Sequence, residues 1–349
     1  MTEEKIKKVL SGINEPVLNL DFVKLGFVKN ISLNGKDLKI TLGISDRSEH
    51  ILTETADKIK EEFKSSIPEL NNVEIKFVTG VTEQINEKKS SVIPGVKNTI
   101  AVASGKGGVG KSTVAVNLAY ALSNHGKQVG LLDLDIHGPN IPKMLGIEEH
   151  KLLADQNKIV PVKVTGSLQV VSMAFLLPEK HAPVIWRGAM KSGAIKQFLE
   201  DTSWGSLDYL VVDLPPGTGD EALTIAQLAP NVRGAVIVTT PQEVSTLDST
   251  KAITFVEQLG LTVIGVIENM SGFVCPHCGE AVDLFGKGGG ERIAQDHNVP
   301  FLGSLPLDPE VRKAGDEGRP FIIRQKDSPT WKAVDAVMEN LVSIVEKQI

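Results

Sequence analysis

The chain has 349 residues, enough for two domains and a sizeable buried core. It is 41% hydrophobic and 23% charged, which excludes disordered and fibrous classes, and 37 Lys and Arg against 43 Asp and Glu leave a net charge of −6, which favours neither nucleic acid nor an anionic membrane as partner. No apolar run approaches the ~18 residues of a membrane span, Thr2-Glu3-Glu4-Lys5-Ile6-Lys7-Lys8 lacks the apolar stretch of a signal peptide, and two cysteines make no disulfide framework, so a reducing cytoplasm is the expected setting.

Residues 1–80 read as a small α+β domain of order αββαβ. Residues 24–33 and 36–44 predict two strands joined at Asn34-Gly35, the pair that best tolerates the positive φ angles of a type I′ turn. Ile51, Leu52, Ile59 and Phe63 recur among charges and predict an amphipathic helix over Glu49–Lys64, and Val73–Val78 alternates like a strand. Residues 81–97, with Glu87-Lys88-Lys89-Ser90-Ser91 and Pro94-Gly95, have the composition of a linker.

Over 98–349, short apolar runs alternate with helical patterns: Thr99–Ser104, Gln128–Leu134, Tyr209–Leu214, Gly234–Thr240 and Thr262–Glu268. Near-continuous Val, Ile and Leu runs suit strands buried on both faces of a sheet, so the fold class is α/β: a mostly parallel twisted sheet with helices on both faces, behind the small α+β domain. The first run leads into Gly105-Lys106-Gly107-Gly108-Val109-Gly110-Lys111-Ser112-Thr113, which matches G-x-x-x-x-G-K-[ST] between a strand and a helix that carries Val114, Leu118 and Leu122 and stops at Gly126. Such glycines let backbone N–H groups converge on phosphate oxygens at a helix N-terminus, Lys111 faces the β- and γ-phosphates, and Ser112 offers its hydroxyl to Mg²⁺.

A nucleotide–Mg²⁺ site needs a carboxylate at a neighbouring strand end, and Asp213 follows Tyr209-Leu210-Val211-Val212. Leu214-Pro215-Pro216-Gly217-Thr218-Gly219-Asp220 then forms a rigid loop suited to sensing a γ-phosphate. Asp133 and Asp135 share one side of their strand by its period of two, and Asp135, further out, is the candidate to orient an attacking water.

Cys275-Pro276-His277-Cys278 holds both cysteines. Thiolates suit iron–sulfur clusters or zinc, which usually take four protein ligands, so the pairs of two chains together make a four-cysteine site. Spacing leaves cluster and zinc open, and a redox dithiol is disfavoured because Gly279 and loop-like residues follow Cys278. His277 is left out of the ligand set, and His137 is read as structural. Gly286-Lys287-Gly288-Gly289-Gly290 before a short helix has the makings of a weak anion site. The amphipathic stretch Trp331–Ile349, with Trp331, Val334, Met338, Leu341 and Val345 on one face, mixes acids and bases on the other and reads as core packing rather than membrane binding.

Lys106, in addition to Lys111, makes the chain resemble the deviant Walker A ATPases of the MinD and ParA group. The match narrows to the Mrp/ApbC iron–sulfur carrier ATPases through Asp133-Leu134-Asp135-Ile136-His137-Gly138-Pro139, Trp186-Arg187-Gly188, the loop 213–220, Glu268-Asn269-Met270-Ser271, Cys275-Pro276-His277-Cys278 and Leu305-Pro306-Leu307-Asp308-Pro309, over residues 98–320. The resemblance implies an ATPase that forms a homodimer in which Lys106 reaches the partner's nucleotide, Asn269 reads the adenine edge, and a [4Fe–4S] cluster bridges the two cysteine pairs for transfer to apo-proteins, with scaffold proteins as further partners. Zinc is the rival occupant, and a ParA/MinD-like positioning ATPase with structural zinc is the alternative function. The first domain resembles the MIP18-type module but reads Gly43-Ile44-Ser45-Asp46-Arg47 where that module commonly has a cysteine, so a ligand role there is not implied.

Overall fold

The structure, a computed structural model, describes residues 3–13, 21–23, 27–44, 49–79, 95–135, 138–155, 158–176, 188–217, 219–229, 231–275, 277, 278, 280–321 and 328–347. Residues 24–26 of the first predicted strand, Ser45-Asp46-Arg47, Gly80, residues 81–94 of the predicted linker, His137, Trp186-Arg187, Thr218, Pro276 and Gly279 lie outside them. Two compact units divide the chain, Met1–Lys89 and Ser90–Ile349.

The first unit runs α1 (Glu3–Leu10), β1 (Val28–Asn34), β2 (Asp37–Ile44), α2 (Glu49–Ser66) and β3 (Asn72–Thr79). β1 and β2 form the expected hairpin, but the turn is centred on Gly35-Lys36, because Asn34 stays in the ladder opposite Asp37. Of the two central residues only Gly35 has a positive φ (66°), so this is not the type I′ turn expected. β3 returns parallel to β2, with α2 as the crossover. Leu38, Ile40 and Leu42, alternate residues of β2, meet Ile6, Leu10, Ile59 and Phe63 of the helices in one core.

In the second unit β4 (Val96–Ala103) leads to α3 (Lys111–Asn124), β5 (Val129–Asp133) and α4 (Ile141–Leu145). The short strands β6 (Leu153–Asp155), β7 (Lys158–Val160) and β8 (Val162–Lys163) precede β9 (Leu168–Ser172), α5 (Gly188–Glu200), β10 (Leu207–Asp213) and α6 (Asp220–Leu228). Then come β11 (Val232–Thr239), α7 (Glu243–Gln258), β12 (Val263–Glu268), the hairpin β13 (Phe273–Val274) and β14 (Ala281–Val282), α8 (Gly289–Asp296), β15 (Phe301–Ser304), α9 (Pro309–Asp316) and α10 (Pro329–Glu346). β4 starts at Val96, paired with Leu207, so the last two residues of the predicted linker are strand.

Eight strands form one sheet in the order β15-β12-β11-β4-β10-β5-β9-β8, parallel except for β8. Alternate residues split the apolar load between its faces. Ile100, Val102, Leu131, Tyr209, Val211, Val236 and Val238 pack with α3 and α10, while Ala101, Ala103, Leu132, Leu210, Val212 and Ile237 pack with α5, α6 and α7. The tail helix buries Val334, Met338, Leu341 and Val345 in the first of these cores, the use its pattern predicts. Its start is fixed by Ser328, whose Oγ accepts from Trp331 N at 3.0 Å, with Pro329 in the first turn.

Candidate functional site

The carboxyl ends of the parallel strands carry the chemistry-bearing residues. Between β4 and α3 the loop 105–110 curls tightly and ends at Gly110, which sits at φ 82° as the residue preceding α3. A Cβ there would lie 2.2 Å from Asn269 Nδ2, and one at Gly105 would lie 2.1 Å from Asp248 O, so glycine is required by conformation at the first and by close approach at both. Asn269 Nδ2 donates to Val109 O at 2.9 Å and Ser104 Oγ to Lys106 O at 3.0 Å, which pin the loop at both ends. Lys106 is half-buried.

Lys111 and Asp213 form a buried ion pair at 2.7 Å, and Ser112 Oγ donates to the other Asp213 oxygen at 2.6 Å. The structure therefore brings together the lysine, the hydroxyl and the carboxylate that the sequence separates by a hundred residues. Beside them, Asp133 lies directly opposite Asp213 in the parallel register of β5 and β10. Burial, then the charge of Asp213, pushes the Asp133 carboxyl up to about 8, against the hydrogen bonds from Ser172 Oγ (2.7 Å) and Asp135 N (3.1 Å). Asp213 is also raised by burial, while Lys111 and Ser112 pull it down. Asp135 lies beyond the end of β5, where its Oδ1 accepts from Gly138 N at 3.2 Å. The loop after β10 sits against the phosphate loop through Gly217 N, which donates to Ser104 O at 2.9 Å. Behind the loop, Thr113, Asn117, Asn269, Leu305, Pro306 and Thr330 line a small cavity of about 20 Å³.

Both cysteines lie on the excursion between β12 and α8, at the turn of the β13–β14 hairpin, and both are free. Cys275 N donates to Glu280 O at 2.9 Å, closing the turn. The Cys275 thiol is lowered from its ordinary pKa by the backbone N–H groups of Cys278 and His277, which favour the thiolate. Among the described residues no group of three or more histidine, cysteine and acidic side chains is placed to hold a metal ion.

The glycine run at 286–290 does receive an oxyanion, but from within the chain: Gly288 N and Gly290 N donate to the carboxylate of Glu268 at 3.0 and 2.7 Å, so the weak anion site expected there is filled by the protein itself. Glu268, fully buried, and Asp133 are the two residues to which sequence reasoning gave no role. Both end an apolar run, the same local signal that singled out Asp213, yet Ser172, held by Asp133, and Gly288 and Gly290, held by Glu268, lie far along the chain.

A family model described as NUBPL iron-transfer P-loop NTPase matches residues 95–342, and one described as iron-sulfur cluster assembly protein matches residues 3–77. The iron-sulfur cluster carrier protein of Methanocaldococcus jannaschii is 56% identical over 72% of this chain and 85% of its own length, and that of Synechocystis sp. is 40% identical over 99% and 98%. A solved nucleotide-binding protein of Archaeoglobus fulgidus, in complex with ADP, superposes with a TM-score of 0.58 at 41% identity, covering 68% of this chain and 91% of that one. With the phosphate loop, its carboxylates and the thiol pair on one α/β unit, the chain belongs to the iron-sulfur cluster carrier family of iron-transfer P-loop NTPases, with an iron-sulfur cluster assembly domain ahead of the NTPase.

Proposed function

We propose that the chain binds and hydrolyses ATP at the phosphate loop and carries a labile [4Fe–4S] cluster, as cargo, on Cys275 and Cys278 of each copy in a cytoplasmic homodimer, delivering it to apo iron–sulfur proteins, with scaffold proteins as further partners. The observation that carries this reading is the pair of free thiols, one with its thiolate favoured, on the same unit as the Lys111–Ser112–Asp213 cluster.

In this reading the N–H groups of Gly105, Gly107, Gly108, Val109 and Gly110 face the phosphates, with Ser112 and Thr113 at the first turn of α3. Lys111 turns from Asp213 to the β- and γ-phosphates, and Lys106 places a second positive charge on the nucleotide of the other copy. The oxygens of Ser112 and Asp213, already 2.6 Å apart, are the hard donor set that Mg²⁺ prefers. Mg²⁺ supplies charge neutralisation on the phosphates when it is bound with them. Asp135 orients the attacking water, and Asn269, fixed to the loop through Val109, reads the adenine edge. Four thiolates from two copies hold the cluster, and thiolates of the acceptor replace them one for one on transfer, with no change of oxidation state required.

Anaerobic reconstitution with iron and sulfide tests the cargo: about four irons with matching acid-labile sulfide per dimer is expected, transferable to an apo-acceptor. One zinc per dimer in place of iron supports the positioning ATPase instead. A Cys275→Ser, Cys278→Ser variant is expected to bind no cluster while still hydrolysing ATP. Lys111→Ala is expected to lower hydrolysis by about 100-fold or more, measured as phosphate release.

A further inference from the structure

Glu268 is fully buried at the end of β12, and its oxygens are occupied by donors from the two ends of one excursion. Ser271 Oγ at 2.6 Å and Gly288 N at 3.0 Å reach Oε1, and Gly290 N at 2.7 Å reaches Oε2. Residues 272–287 between those ends are the cysteine hairpin and its stems. The return end is built for this contact, since a Cβ on Gly290 would lie 2.9 Å from Glu268 Cβ. One carboxylate therefore closes the base of the segment that carries Cys275 and Cys278.

The next residue along the chain belongs to the other site. Asn269 is bonded through Nδ2 to Val109 O in the phosphate loop and through its N–H to Thr239 O at 2.8 Å. Met270 follows at φ 58°, a left-handed conformation that non-glycine residues seldom adopt. Ser271 N is then held by Leu305 O at 2.9 Å. Residues 268–271 thus join the phosphate loop to the cysteine hairpin through a short, hydrogen-bonded and backbone-strained segment that has little freedom to absorb a shift at either end.

We propose that Glu268 is a positioning residue that couples the two sites, so that a change at Val109 when nucleotide enters the phosphate loop passes through Asn269 and the Glu268 clamp to the geometry of Cys275 and Cys278. This rests on the nucleotide-binding reading of the loop. Glutamine in place of Glu268 keeps the shape but turns one acceptor into a donor, which faces a glycine N–H of the return end, Gly290 or, with the amide turned over, Gly288, and so loosens that end. The return end then keeps only one of its two ties to β12, so the hairpin follows that strand less closely.

The test uses the full metal-free chain, with maleimide labelling of Cys275 and Cys278 in the presence and absence of Mg-ADP, and nucleotide affinity read separately with a fluorescent ADP analogue. In the wild type, nucleotide is expected to change the labelling rate by about fivefold or more. Glu268→Gln is expected to reduce that change to less than about twofold with nucleotide affinity retained, a combination that loss of packing alone does not produce. Ser271→Ala, which removes one donor and leaves both glycine contacts, is expected to give an intermediate response and serves if the glutamine variant does not fold. A wild-type response of full size in Glu268→Gln, or in Ser271→Ala where that variant serves, overturns the proposal, as does a wild type that binds nucleotide with no change in labelling. A wild type that binds no nucleotide overturns the reading of the phosphate loop and this coupling with it.

Discussion

Asp133 and Asp213 sit opposite one another on adjacent strands, and Lys111 is ion-paired with only one of them. The imbalance is relieved by a proton. Asp133, pushed up to about 8 by burial and by Asp213, holds one at neutral pH, while the same side chain in the unfolded chain loses it near pH 4. Between those values the folded state binds the extra proton, so this contribution to stability is fully present below about pH 4 and is lost as pH rises through about 8, by at most about 1.4 kcal/mol per pH unit. Asp133→Asn keeps the shape and does not titrate, and the Ser172 hydroxyl can turn to accept from the new amide. Urea unfolding at pH 5 and pH 8 is expected to show the wild type losing stability across that interval and the variant losing markedly less. At this scale the phosphate loop was fully legible, because nine consecutive residues specify it. Glu268 was not, because its partners Gly288 and Gly290 are 20 and 22 residues away and nothing local announces them.

The elements that the sequence exposed most clearly are the strands buried on both faces. β4, β5, β10, β11 and β12 lie within a few residues of their apolar runs, since a strand between two helical layers has no polar face to blur the pattern. β9 and β15 lack such a run for the complementary reason: Gln169 interrupts the first, using its Nε2 to hold Trp204 O at 2.5 Å, and Gly303 interrupts the second at φ 140°. The hairpin turn in the first unit lies one residue later than its sequence suggests, because turn propensity favours Asn34-Gly35 whereas the ladder keeps Asn34 paired with Asp37. α10 was legible from its spacing alone. Leu341, 1% exposed on the buried face, is expected to cost about 2–5 kcal/mol as Leu341→Ala, with the loss read by chemical denaturation.

For the molecule as a whole, each of the two units has its own apolar core, and all the residues proposed for nucleotide and thiol chemistry lie in the second. Residues 90–349 expressed alone are therefore expected to fold cooperatively and to bind a fluorescent ADP analogue within about threefold of the full chain, measured by titration. Among the described residues no helix is long and apolar enough to cross a membrane. The chain carries a net charge of −6, so its overall field does not draw polyanions in, and its loop lysine is already neutralised by Asp213 at 2.7 Å. That pairing discriminates among visitors. A lone oxyanion offers Lys111 a mere exchange of one negative partner for another and strands a buried carboxylate without compensation. A polyphosphate that arrives with its own divalent counter-ion leaves positive charge beside both, so the resting site is expected to favour the metal-bound polyphosphate over free inorganic phosphate.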